Sequence, residues 1–185
     1  GPEACSSLSI LDIGAGNGYL GQVLSSCARR QGWEWRITNL DQAVESLALN
    51  QKKGCNVAGS ALRLPFKESS FDAVISSQTT HHLDSSEVPQ HLGEAWRVTR
   101  NILLIVDLHR NPLLYSVLWT VLALGSHSSS FVSDGLLSVK RGWRVGELSD
   151  LVRAAGIDNA RVRLLHGARV LVEARKRNFS SVRRA

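Results

Sequence analysis

Three glycines in the run Ile10-Leu11-Asp12-Ile13-Gly14-Ala15-Gly16-Asn17-Gly18 are the first residues here whose spacing suggests chemistry. A backbone that turns sharply and approaches a ligand closely needs glycine, because a Cβ would collide there. A helix starting directly behind such a turn presents unpaired N–H groups and partial positive charge, suited to a carboxylate or phosphate. The third glycine of a dinucleotide fingerprint would fall on Tyr19, and no Gly-Lys-Ser/Thr follows, which excludes a phosphate-cradling P-loop. A second constellation is Ser77-Gln78-Thr79-Thr80-His81-His82. A histidine, with its pKa near 6.5, can take a proton at neutral pH; its other reading is a satisfied structural histidine, which is the reading for His82. Asp41 is the third candidate, as a ligand-holding carboxylate or as the cap of the next helix.

These residues need elements to position them. Ile10, Leu11 and Ile13 predict a buried strand, and Leu20, Val23, Leu24 and Cys27 predict the apolar face of a following helix. Gly32 ends that helix, Trp33 to Leu40 reads as a second strand ending at Asp41, and Gln42 to Lys52 as a helix stopped by Gly54. Asn56 to Gly59 and Phe71 to Ser76 read as strands three and four. Ser86 is placed to cap a helix reaching Val98, and Asn101 to Asp107 reads as strand five. Pro112 to Leu124 predicts an apolar helix, and Gly146 to Ala155 an amphipathic one closed by Gly156. Strands at Ala160 to Leu165 and Ala168 to Ala174 have no helix between them, so the last should run antiparallel. The expected fold is α/β: a Rossmann-like, doubly wound, mostly parallel seven-stranded sheet with an antiparallel C-terminal hairpin strand. Asp41, at the end of the second strand, then borders the crevice where such sheets bind ligands.

The 185 residues are expected to form a single domain, 1–185, ending in a basic tail, 176–185. A hydrophobic content of 43% with 21% charged residues fits a water-soluble globular chain. The formal charge of +6 invites a nucleic-acid partner, but Arg175, Lys176, Arg177, Arg183 and Arg184 read as a solvated end. Cys5, Cys27 and Cys55 are odd in number and lack metal-ligand spacing, which predicts reduced thiols and a cytoplasmic location. The apolar stretch Leu113 to Leu124 is too short for a membrane span. The chain has no methionine and begins Gly-Pro, so the natural protein is expected to be longer.

Asp12-Ile13-Gly14-Ala15-Gly16-Asn17-Gly18 resembles the first motif of class I S-adenosylmethionine-dependent methyltransferases. The resemblance extends from about Leu8 to Arg175. Gly59-Ser60-Ala61-Leu62-Arg63-Leu64-Pro65-Phe66 with Ser70-Phe71-Asp72 is similar to the family's G-D-A-x-x-L-P-F … S-F-D run, and His81-His82-Leu83 to its L-H-H-L. It implies S-adenosyl-L-methionine as cofactor, held by Asp12, Gly14, Ala15, Gly16 and Gly18, by Asp41 and Gln42, by Ser60, Ala61 and Leu62, and by Ser77. Asp41 would hold the ribose hydroxyls. His81 takes the place of the catalytic base of plant-type O-methyltransferases. The run from Asp107 through Trp143 is similar to standalone methyltransferases of secondary metabolism, and implies substrate contacts from His109, Tyr115 and Asp134.

The chain departs from the family pattern twice. Ser60 stands where an Asp usually meets the adenine amino group, and no Gly-Gly turn precedes the fifth strand. Family members usually carry helices ahead of the first strand that wall the pocket; only about seven residues precede it here. A further N-terminal segment or a second subunit is therefore expected to complete the pocket.

Other methyltransferase chemistries lack their residues. Ser77-Gln78-Thr79-Thr80 is not the Asn/Asp-Pro-Pro-aromatic of nucleobase-amino enzymes, no cysteine is near it, and Asp84 alone is no metal-holding cluster. The expected activity is methyl transfer to a phenolic or enolic hydroxyl on an apolar small molecule, without a metal. A phenol near pKa 10 lies about 3.5 units above histidine, so its full deprotonation by His81 would cost ~5 kcal/mol. The alternatives are an RNA or nucleic-acid methyltransferase, suggested by the basic end, and a non-catalytic cofactor-binding module, suggested by Ser60 and the missing Gly-Gly.

Overall fold

A computed structural model describes residues 7–50, 54–111, 116, 140–166 and 168–176. The strands are β1 (Ser9–Ile13), β2 (Arg36–Asp41), β3 (Cys55–Ala58), β4 (Phe71–Ser77), β5 (Thr99–Leu108), β6 (Arg161–Leu165) and β7 (Arg169–Arg175). The helices are α1 (Tyr19–Arg30), α2 (Val44–Ala48), α3 (Val88–Val98) and α4 (Val145–Ala154), with a 3₁₀ turn at Thr80–His82. The strands form one sheet in the order β3-β2-β1-β4-β5-β7-β6. β1 to β5 are parallel, and β7 runs antiparallel to both β5 and β6. The expected sheet and its antiparallel hairpin are both present.

Alternation along the strands divides the core. Leu11, Ile13, Leu40, Val74, Leu103 and Ile105 point to one face, where Val88, Leu92 and Ala95 of α3 and Leu148 and Val152 of α4 cover them. Ile10, Ile37 and Ala73 point to the other, in a smaller cluster beside Leu24 and Trp35.

Several elements differ from expectation for identifiable reasons. The second strand begins at Arg36 rather than Trp33. Gly32, at φ 73°, lets the chain reverse, and the Trp33 N–H bonds back to the Ala28 carbonyl as part of the helix stop. Trp33 then stacks on Trp35, with ring centroids 5.8 Å apart. Helix α1 buries Gly21 and Ala28, while Val23 and Cys27 of the expected apolar face are exposed. Small residues let it lie close to β2: a Cβ on Gly21 would stand 2.8 Å from Asn39 Oδ1. Helix α2 is shorter than expected, ending at Ala48, with tight turns from Leu49 to Ser46 and from Asn50 to Leu47. Glu87, not Ser86, precedes α3 as its cap residue, and Pro89 sits in the first turn.

Helix α3 runs straight into β5 without a Gly-Gly turn. A bulge absorbs the change: Phe71 pairs with Thr99, but Ala73 with Ile102. Asp72, between them, accepts from the Ser9 hydroxyl at 2.6 Å and from Arg100 at 2.7 Å. Burial would raise the Asp72 pKa, yet these bonds hold it below the usual aspartate range. Lys176, the first residue of the expected tail, bonds its N–H to Asn101 and lies 5.2 Å over the Trp96 ring. The predicted helix 112–124 and the rest of the tail lie outside the described residues. Among the described residues no helix is long and apolar enough to cross a membrane, and no group of His, Cys, Asp or Glu could hold a metal ion.

Candidate active site

The carboxyl ends of β1 to β4 meet around a cleft of about 470 Å³, within the usual range for a small-molecule site. β1 delivers Gly14, β2 Asp41 and Gln42, the loop after β3 Ser60, Ala61 and Leu62, and the turn after β4 Gln78, Thr79 and His82. A larger recess of about 960 Å³ lies at the opposite strand ends, beside Trp33 and Trp35, and includes only Gly18 of the expected site. Strand topology favours the smaller cleft, because ligands of open α/β sheets bind at carboxyl ends.

The glycine turn is built for close approach. Gly14, Gly16 and Gly18 all have positive φ, at 70°, 54° and 71°. A Cβ on Gly14 would sit 2.2 Å from Thr79 Oγ1, so the first and fourth strand ends lock together only without it. Gly16 faces open space, and its N–H donates to Asp41 Oδ2 at 2.7 Å. The other carboxylate oxygen of Asp41 accepts from the Ala43 N–H at 2.9 Å. Asp41 thus ties the turn to the entry of α2 while lining the cleft, although Ala43, not Asp41, is the cap residue of that helix.

Asp12 lies directly beneath. It is 1% exposed, and its Oδ2 has no hydrogen-bond partner among the described residues. Burial, and then the nearby Asp41 charge, push its pKa up to about 7. Two carboxylates so placed favour a cationic or hydroxyl-rich ligand, which would relieve the first and use the second.

On the β4 side, Thr80, His81, Asp107 and Trp143 form one buried network. His81 Nδ1 lies 2.6 Å from Asp107 Oδ1; Thr80 Oγ1 donates to Asp107 Oδ2 at 2.5 Å, and Trp143 Nε1 donates to Thr80 Oγ1 at 2.9 Å. The backbone N–H groups of His81 and Leu108 also donate to Asp107. Burial would raise the Asp107 pKa, but the bonds from His81 and Thr80 outweigh it and hold the carboxyl below the usual range. An ionised Asp107 only accepts, so neutral His81 carries its proton on Nδ1 and its lone pair on Nε2. The His82 ring packs 4.1 Å from that of His81 and faces the cleft. Burial, followed by the neighbouring His81, lowers the His82 pKa.

Of the expected cofactor residues, Gly14, Asp41, Gln42, Ser60, Ala61 and Leu62 line the cleft, whereas Asp12, Ala15, Gly16, Gly18 and Ser77 stand behind or beside it. His81 stands one residue behind the lining, 5% exposed. His109 binds the Trp143 carbonyl through Nδ1 at 2.9 Å, fixing the end of β5 to the returning chain. Tyr115 and Asp134 lie outside the described residues. Sequence reasoning passed over Asp107, whose strand-end position was the signal, and Thr80 and Trp143. It also passed over Gln78, which adopts φ 56°, a backbone state uncommon for residues other than glycine.

Residues 11–102 match the family described as a methyltransferase domain. No curated protein matches the chain. Among solved structures, a SAM-dependent methyltransferase from Methanosarcina mazei is 21% identical, with a TM-score of 0.66 over 92% of this chain and 93% of its own. Human N-acetylserotonin methyltransferase, solved in complex with SAM, is 16% identical with a TM-score of 0.66 over 91% of this chain. A candidate O-methyltransferase from Nostoc punctiforme is 17% identical, also at 0.66 over 91%. The chain spans about half the length of these last two, 47% and 51%.

Proposed function

We propose, from the match of residues 11–102 to the methyltransferase domain family and from the class I S-adenosylmethionine-dependent methyltransferase fold, that the chain methylates a phenolic or enolic hydroxyl on an apolar small molecule. The orphaned Asp12 oxygen beneath the glycine turn, with Asp41 and Ser60 on the cleft wall, fits a cofactor carrying an ammonium group, ribose hydroxyls and adenine. When bound, S-adenosylmethionine supplies a methyl on a sulfonium, a donor that needs no further activation.

The protein's own contribution is position and a proton acceptor. Gly14 and Gly16 let the backbone approach, Asp41 holds the ribose, and the loop from Gly59 to Leu62 borders the base. His81 takes the hydroxyl proton at Nε2, and Asp107 stabilises the imidazolium that forms. The single observation carrying the hydroxyl reading is the 2.6 Å His81–Asp107 pair behind the cleft floor, since a neutral hydroxyl is a poor nucleophile until a base takes its proton, whereas a neutral amine already carries its lone pair. Positioning alone can be worth roughly 7–11 kcal/mol, so the base is asked for only part of the acceleration.

The test is transfer of labelled methyl from S-adenosylmethionine to a panel of apolar phenols, amines and RNA. Phenol methylation that falls roughly 10²–10⁴-fold in His81→Gln, with cofactor affinity retained, is the expected result. Labelling confined to amines or RNA, or phenol turnover unchanged in His81→Gln, would overturn it.

A further inference from the structure

The wall of the cleft between Ser60 and Phe66 has no regular secondary structure, yet one helix holds its backbone at Ala61, Leu62, Leu64 and Phe66. While α3 buries Val88, Leu92, Ala95 and Val98 in the core, Gln90, His91, Glu94 and Arg97 recur on its loop-facing side at helical spacing. Gln90 Nε2 donates to the Leu62 carbonyl at 2.9 Å, and His91 Nδ1 to the Ala61 carbonyl at 3.2 Å. Glu94 Oε2 accepts from the Leu64 N–H at 2.9 Å. Arg97 donates to the Leu64 and Phe66 carbonyls at 3.2 and 2.8 Å, and forks onto Glu94 at 2.7 and 2.8 Å.

Side chains rarely satisfy a loop so fully; most loops leave such groups to water. Here the loop must be stiff for a reason visible in its first residues. Ser60 supplies no charge to the cleft, and its hydroxyl accepts from the Leu62 N–H at 3.2 Å. Any selectivity for a base on this wall must then come from backbone groups and from the shape of Ala61 and Leu62, both of which line the cleft. Backbone recognition is only as sharp as the backbone is fixed. Arg97 holds the Glu94 carboxyl below its usual range, so the Leu64 bond is charge-assisted, and His91 is buried, with Nδ1 directed at Ala61.

We infer that Gln90, His91, Glu94 and Arg97 are positioning residues, which fix the loop from Ala61 to Phe66 so that its backbone selects the base of the bound nucleoside in place of a charged side chain. This rests on the cofactor reading above and adds to it the residues that set base selectivity.

The experiment is calorimetric titration of the whole chain with S-adenosylhomocysteine and with its deaminated form, in which hypoxanthine replaces adenine. Glu94→Gln should weaken the adenine ligand about ten-fold, equivalent to ~1.4 kcal/mol, while weakening the deaminated ligand less, so that the preference narrows. Arg97→Lys, which keeps the charge but loses the fork, should fall between Glu94→Gln and wild type. Gln90 is exposed and outside the core, so Gln90→Ala remains folded and should show a smaller narrowing of the same sign. Variants that keep the wild-type preference, whether or not both affinities drop together, would overturn the inference. A wild-type chain that binds neither ligand would instead overturn the cofactor reading.

Discussion

Removing the charge from Asp12 should make the ligand-free fold more stable, by an amount that depends on pH. Its folded pKa of about 7 lies above the unfolded value, so the folded chain binds the extra proton and loses stability as pH rises from about 4 to 7. Asp12→Asn lacks that loss. Urea titrations should show its advantage growing across this window, to roughly 4 kcal/mol at most, and flat above it; an advantage independent of pH would contradict the burial of an ionisable group. Asp41→Ala should lose one or two charge-assisted bonds to ligand, about 1.5–3 kcal/mol each. Asp107→Asn keeps the size but not the charge, so it should lower turnover and shift the acid limb of the pH–rate profile, leaving cofactor affinity unchanged. Asp12, Asp41 and His81 stood out in the sequence as candidates because a glycine turn, a strand end and a motif marked them. Asp107 was not, since its role comes from a partner 26 residues away that only the sheet brings close.

At the scale of elements, the turn after β1 and the turn after β4 fit each other as a pair. Gly14→Ala should destabilise the fold by about 1–3 kcal/mol from the positive φ alone, with the Thr79 clash added. Thr79→Ala in the same chain should recover the clash but not the φ cost, and full recovery in thermal unfolding would contradict this. Helix α3 predicts a different pH response. Burial lowers the His91 pKa, so below about pH 6.5 the unfolded chain takes up a proton that the folded chain refuses, and stability falls with pH. His91→Leu should flatten part of that fall; the lowered His82 contributes the same sign. Hydrophobic runs revealed the middle strands β1, β4 and β5, because a parallel sheet buries both faces of its middle strands, whereas the edge strands β3 and β6 are largely exposed. The ends of elements were less legible. The Trp33 N–H is spent on the preceding helix, and the face of α1 is decided by Gly21 and Ala28, which carry little hydrophobic signal.

For the whole molecule, the antiparallel hairpin places Arg161 and Arg163, both exposed, on the edge strand β6, where charge discourages sheet-to-sheet association. Part of the +6 charge thereby has a structural use that needs no nucleic acid. RNA retention should accordingly be weak, with a shallow salt dependence; firm retention with a steep salt slope would favour the nucleic-acid reading instead. The measurement that bears most directly on the central claim is calorimetric titration with S-adenosylmethionine, alongside NAD, of the wild type and Asp41→Ala. The expected result is one S-adenosylmethionine bound per chain, at least ten-fold weaker binding in Asp41→Ala, and no comparable heat with NAD. Tight NAD binding without S-adenosylmethionine binding, or an Asp41→Ala affinity equal to wild type, would contradict it.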